Sequence, residues 1–274
     1  MNKILYPYRE ITSAKNEFII ETAKLKDKKY RDRTGSFLIE GRKLASELFR
    51  FAAADVTHVI LTEDNIGFLN RSDEFEKYSR KTDIILTNHA VISKLTDEKS
   101  PQGIVCVTKK FDKTRSLRYN LPVIILDGVQ NPGNLGGIMR TMNALGGFDL
   151  ILSGNCADIY SEKTIRASMG ALFYQNTVFR NDIQSAIAEL RKEGYKIYAT
   201  HLSKDSVGIN EIVFDRKTAI IFGSEGGGLD SSVPALCDGN VLIPISGNAE
   251  SLNLAAAAAI FLWKMKGDTA PRPF

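Results

Sequence analysis

The chain has 274 residues, 36 Lys and Arg against 32 Asp and Glu, and 43% hydrophobic and 25% charged residues. Those proportions belong to a soluble globular protein with room for one large or two ordinary domains. The longest apolar run, Ala255 to Trp263, is far too short to span a bilayer. The opening Met1–Pro7 carries no signal-peptide core. Cys106, Cys156 and Cys237 are too scattered for a disulfide framework or a zinc site. A cytoplasmic protein without a metal is expected.

In chain order, residues 14–33 set Lys15, Lys24, Lys26, Lys28, Lys29, Arg31 and Arg33 among Phe18, Ile19, Ile20, Ala23 and Leu25. This predicts an amphipathic helix running into a basic turn. Phe37–Glu40 reads as a strand, Gly41–Phe51 as a helix, Thr57–Thr62 as a strand and Phe68–Ser79 as a polar helix. Asp83–Thr87 is a strand, Ala90–Leu95 a short helix and Gly103–Thr108 a strand. This alternation predicts a small α/β sandwich over residues 1–108. Residues 109–120, with five Lys/Arg and one Asp, form the expected linker.

Beyond it, strands are expected at Val123–Leu126, Phe148–Leu152, Tyr195–Thr200, Thr218–Phe222 and Val241–Ile245. Helices are expected at Asn134–Leu145, Ser161–Met169 and Asp182–Glu193, with 171–179 extended and an alanine-rich helix from 255. The result is a second α/β domain, 121–274, with several parallel strands. Charge is uneven between the parts. Residues 1–118 hold 23 cations against 17 anions, and residues 119–274 hold 13 against 15. A basic module beside a more neutral one suits a polyanionic substrate.

Three loops of the second domain carry the chemistry. Asp127–Arg140 contains Gly128, Gly133, Gly136 and Gly137, with Asn134 near a helix start and Arg140 six residues on. Arg140 is expected to face the same cleft as Asn134 and to grip a phosphate through its planar fork. Gly223–Gly228 sets Glu225 among glycines. Ser251 and Asn253 frame Leu252 before the alanine helix. A lone Ser or Asn there is a helix cap, but small polar residues recur at three loop-to-helix junctions. Ligands of open α/β sheets bind at the carboxyl ends of strands, where free backbone N–H groups gather. There is no phosphate-loop lysine and no dinucleotide fingerprint. His58, His89 and His201 are isolated, although His201 ends a strand and could border a pocket.

In order, these loops resemble the three motifs of the SpoU/TrmH class of RNA ribose 2′-O-methyltransferases, in the SPOUT superfamily. Asn131–Thr141 resembles the first motif, Ile220–Leu229 the second and Ile243–Leu254 the third. Lys163–Leu172 resembles the family's Arg-Ala-Ser-x-Gly segment. In the first part, Phe37–Lys43 and Ser100–Ile104 resemble the family's substrate-binding domain of L30e-like fold. The resemblance implies a trefoil-knotted SPOUT domain, S-adenosylmethionine as methyl donor and a homodimer whose active site draws on both subunits. It implies Asn134, Arg140, Glu225, Ser251 and Asn253 as the catalytic set. Gly223, Ile243 and Leu252 should touch the donor through main chain, and Thr200, which ends its strand, is placed with them. RNA, most plausibly of the large ribosomal subunit, is expected on Lys24, Lys28, Lys29, Arg31 and Arg33. Rival readings are a transfer-RNA enzyme, a non-catalytic RNA-binding protein, and a nucleotide-dependent α/β enzyme using the same loops. The chain departs from the family pattern at Gln130, at Met142 and in its tail.

Overall fold

The computed structural model describes residues 3–111 and 115–269. They gather in two compact units: residues up to 111 together with 158–173, and the remainder.

The first unit holds strands β1 (Arg9–Glu10), β2 (Ser36–Glu40), β3 (Val56–Thr62), β4 (Asp83–Thr87) and β5 (Ile104–Lys109) in the order β1-β4-β3-β5-β2. β1, β4 and β3 run parallel, while β5 is antiparallel to both of its neighbours. Ile60, Ile85, Val105 and Val107 meet Ile19 and Leu25 of the N-terminal helices and Val91, Ile92 and Leu95 of the helix His89–Leu95 in one core. The basic turn expected after the N-terminal helix is itself helical: Glu17–Ala23 and Lys28–Thr34 are two helices joined by a 3-10 turn. Asp27 causes the break. Its backbone is extended, and its carboxylate accepts the Tyr30 N–H at 3.1 Å, which starts a new helix. Likewise Phe68–Ser79 is not one helix, because Ser72 caps a fresh short one at Asp73–Glu76.

Residues 158–173, read from sequence as part of the second domain, pack in the first unit. Ser161 caps the helix Glu162–Ser168. Glu162 accepts hydrogen bonds from the Thr96 hydroxyl at 2.7 Å and the Asp97 N–H at 3.1 Å. The Tyr160 ring lies 4.7 Å from that of Phe37. The chain therefore passes between the units three times.

The second unit holds β6 (Val123–Asp127), β7 (Asp149–Ser153), β8 (Thr177–Phe179), β9 (Lys196–Ala199), β10 (Val207–Gly208), β11 (Thr218–Phe222) and β12 (Gly239–Leu242). Their order is β10-β12-β9-β11-β6-β7-β8, with every pair parallel. β6 and β11 are continuous apolar runs because helices cover both faces of a parallel sheet. Residues 171–179 are not extended throughout: Ala171–Tyr174 is a helical turn, and the strand begins at Thr177. β12 ends before Pro244, which has no N–H to offer a ladder. Gly137, in the helix Pro132–Leu145, lets the helix Leu254–Thr269 come close; a Cβ there would lie 3.4 Å from that of Ala255.

Candidate functional site

The loops after β6 and β11 and the segment after β12 meet at the carboxyl end of the second sheet, and amide side chains join them. Asn131 caps the helix Pro132–Leu145, accepting the N–H groups of Gly133 and Asn134 at 2.8 and 3.2 Å. Capping therefore falls to Asn131, and the side chain of Asn134 is free to turn inward, where it is buried. Its Nδ2 donates to Glu225 Oε1 at 2.9 Å, and its Oδ1 accepts from Asn253 Nδ2 at 3.0 Å. Asn253 Oδ1 in turn accepts the Ala255 and Ala256 N–H groups at the start of the last helix, at 3.0 and 3.3 Å.

This chain of bonds fixes every polarity. Helix N–H groups can only donate, so Asn253 must present oxygen to them and nitrogen to Asn134. Asn134 must then present its own nitrogen to Glu225, which must accept. The Asn131 N–H also donates to Glu225 Oε1, at 3.3 Å. Burial works to raise the Glu225 pKa, but the Asn134 amide and the backbone N–H donors outweigh it, and the carboxyl is held below its usual range. The loop-to-helix junctions thus end in one orienting carboxylate.

Beside this chain opens a cavity of about 740 Å³, within the range of small-molecule sites, roughly 300–1,000 Å³. Thr200, Gly223, Glu225, Ile243, Ser251, Leu252 and Asn253 all line it. The Thr200 hydroxyl and N–H both donate to the Ile221 carbonyl, at 2.8 and 2.9 Å. At Gly223 a Cβ would lie 2.2 Å from the Gly228 carbonyl carbon. No side chain fits there, because the paired Ser224–Gly228 backbone folds across it. The lining also includes apolar residues: Phe222 and Phe261, whose rings meet edge to face at 5.4 Å, and Leu202 and Ile245. Sequence reasoning missed these apolar residues. Phe261 carried a faint signal as the first ring after the alanine run. His201 lines the cavity too.

Two arginines depart from expectation. Arg140 does not line the cavity. Six residues at about 100° each carry it a third of a turn away from Asn134, and about 9 Å along the axis. Its side chain is exposed, and no ion pair holds it among the described residues. Arg31 is the reverse. It is 4% exposed, its Nε and Nη2 bind Asp158 at 3.1 and 2.7 Å, and its Nη1 donates to the Leu25 and Lys26 carbonyls. Arg31 is therefore a buried structural tie and cannot reach a polyanion. The other expected cations, Lys24, Lys28, Lys29 and Arg33, are exposed, with Lys24 paired to Glu21. Among the described residues no cluster of His, Cys, Asp or Glu could hold a metal, and no helix is long and apolar enough to cross a membrane.

Residues 122–263 match the model of the SpoU rRNA methylase family, and residues 16–106 match that of the MRM3-like substrate-binding domain. The 23S rRNA (guanosine(2553)-2′-O)-methyltransferase RlmP of Bacillus subtilis is 34% identical over 94% of this chain and 100% of its own. The chain belongs to the SpoU rRNA methylase family. A 23S rRNA (uridine(2479)-2′-O)-methyltransferase of Streptomyces viridochromogenes is 27% identical over 97% of this chain and 96% of its own. Among solved structures, an AdoMet-bound rRNA methyltransferase from Sinorhizobium meliloti superposes with a TM-score of 0.82 at 27% identity, covering 96% of this chain and 99% of that one. AviRb of S. viridochromogenes in complex with AdoMet superposes at 0.79, with 25% identity over 92% and 98%. The SpoU family member described here thus has the mixed α/β architecture of the SPOUT methyltransferases.

Proposed function

We propose that this SpoU family member is an S-adenosylmethionine-dependent RNA methyltransferase acting on a ribose 2′-hydroxyl of ribosomal RNA. The carrying observation is the cavity framed by the glycine loop and the Glu225–Asn134–Asn253 chain. Its lining suits a sulfonium nucleoside. Phe222, Phe261 and Leu202 would hold the base, and the main chain at Gly223, Ile243 and Leu252, with Thr200, would hold the polar part. The names of full-length relatives support the substrate class.

When bound, S-adenosylmethionine supplies a methyl group on a leaving group that already activates it. The work left to the protein is to hold a ribose hydroxyl in line, which supplies roughly 7–11 kcal/mol in favourable cases, and to help its proton leave. Glu225 and Asn134 hold the glycine loop to the helix that bears Arg140. Ser251 and Asn253 shape the rim and start the last helix. Arg140 meets the ribose and its phosphate.

Arg140 stands outside the cavity of its own chain, and this supports a site completed by a second copy. The first ten residues of the helix Leu254–Thr269 are all apolar, and Trp263 is 69% and Ile260 41% exposed, an unusual face for a monomer. A homodimer covering that face would bring Arg140 to the partner's cavity. The trefoil knot and a cytoplasmic location belong to the same reading. RNA enters over Lys24, Lys28, Lys29 and Arg33.

Calorimetry with S-adenosylmethionine, followed by methyl transfer to protein-free ribosomal RNA, tests the proposal. One donor bound per chain and transfer to RNA are expected. Mixing an Arg140→Ala chain with a chain disabled at Gly223 should restore part of the activity that each lacks alone.

A further inference from the structure

The basic segment contains a ring that the proposed function does not use. Tyr30 lies in the helix Lys28–Thr34, half-buried. Its hydroxyl donates to Glu21 Oε2 at 2.6 Å, which fixes the ring plane. The Arg33 guanidinium carbon sits 4.5 Å from the ring centroid, and Lys24 Nζ lies 5.9 Å from it. Lys24, Asp27, Lys29, Tyr30 and Arg33 line a groove of about 380 Å³ on the surface of the first unit. No carboxylate pairs with Lys29 or Arg33 among the described residues.

A plain cationic patch would have its long side chains spread in water. Here one cation is laid flat against an aromatic ring, and the ring is pinned by a hydrogen bond at its far end. A guanidinium held over a ring loses little more freedom when a second flat group joins the stack. Of the remaining cations on the groove, Lys24 is bound to Glu21, while Lys29 has no ion pair among the described residues. An unpaired nucleobase has the flat face that such a stack accepts, and its phosphate has the charge that Lys29 accepts. A base inside a duplex has both faces covered by its neighbours and cannot enter.

We infer that Tyr30 and Arg33 form a stacking site for one unpaired nucleobase, with Lys29 holding the adjoining phosphate. This rests on the RNA-methyltransferase reading and names the form of RNA that the basic segment takes: a single-stranded loop or bulge in place of a paired stem. Sequence-tolerant stacking of this kind is a recurring way of gripping single strands.

The test uses the full-length protein, a fluorescent 12-nucleotide oligouridylate, the same length of paired RNA and the same oligomer with abasic sites. The wild type should bind the single strand more tightly than either control. Tyr30→Leu should weaken that binding about tenfold, the size of one lost base stack, with the salt dependence unchanged, while Tyr30→Phe should bind like the wild type. Lys29→Gln should weaken binding and reduce the salt slope by about 0.7, the share of one phosphate contact on a single strand. Equal affinity for the intact and abasic strands overturns the inference without involving any variant's fold. A Tyr30→Leu loss that appears wholly in the salt slope also overturns it. If the protein methylates ribosomal RNA yet binds both strands alike, only the stacking site falls. If it binds S-adenosylmethionine and methylates no RNA, the underlying reading falls.

Discussion

The two units treat polar groups in opposite ways. In the second, the site is built from main chain, two amides and one carboxylate, and each polar atom's role follows from its neighbour. In the first, most cations of the basic segment are exposed, while Arg31 is turned inward and saturated, and Lys110 and Arg166 are held by carboxylates. Arg31 and Arg140 make the contrast concrete. Both stand on helices in motifs rich in functional residues, yet Arg31 is saturated by Asp158 and two carbonyls while Arg140 is exposed. Charge in a sequence therefore says little about a cation's task until its partners are known.

The largest effect should come from removing one half of the Arg31–Asp158 pair, whose side chains are 5% and 12% exposed. Arg31→Met strands a buried carboxylate, and Asp158→Ala strands a buried guanidinium. Each should cost about 3–5 kcal/mol, read as a lower midpoint in urea unfolding. Replacing both with apolar residues should recover much of that loss. If the single variants were neutral, the contrast between the two arginines would dissolve.

Next comes Gly223→Ala. Its methyl would sit 2.2–2.5 Å from the Gly228 and Leu229 backbone, so the loop must open. S-adenosylmethionine binding should fall by at least about tenfold, the equivalent of about 1.4 kcal/mol, with RNA affinity kept.

A smaller effect, with a sign in pH, is expected at Asn134. Glu225 sits below its usual range, so its charged form persists into acid, and the order it maintains is lost only as pH falls through that lowered value. Asn134→Leu removes the donor that lowers it. The acid limb of donor binding should then move to higher pH, measurable by calorimetry from pH 7 down to pH 4. An unmoved limb would detach Glu225 from the site. The smallest effect should come from Lys28→Gln with Lys29→Gln: weaker RNA binding and a shallower salt slope, with donor affinity unchanged.

These comparisons also mark what the sequence disclosed. The alternation of short apolar runs and helices revealed the α/β fold because that patterning is local, even where the strands that pair are distant, as β6 and β11 are. The loops bearing Asn134, Glu225 and Asn253 stood out because glycines and small amides recurred at strand ends. What stayed hidden depended on distant partners. Arg31 looked like its neighbours, since nothing near it reveals Asp158, 127 residues away. Residues 158–173 kept company with the first unit although both flanks belong to the second. The basic turn expected after the first helix overlooked Asp27, whose capping bond starts a second helix there. Arg140 was set beside Asn134 by spacing, but helical rotation carried it off that face.

The central claim is that the cavity at Gly223 and the exposed Arg140 together deliver a methyl group to a ribose hydroxyl. Its most direct test is alkaline digestion of ribosomal RNA after incubation with the protein and methyl-labelled S-adenosylmethionine. A 2′-O-methyl blocks cleavage at its own nucleotide, so the account predicts label in alkali-resistant dinucleotides, abolished by Arg140→Ala with donor binding intact. Label released in single nucleotides, as from a methylated base, or transfer undiminished by Arg140→Ala, would contradict it.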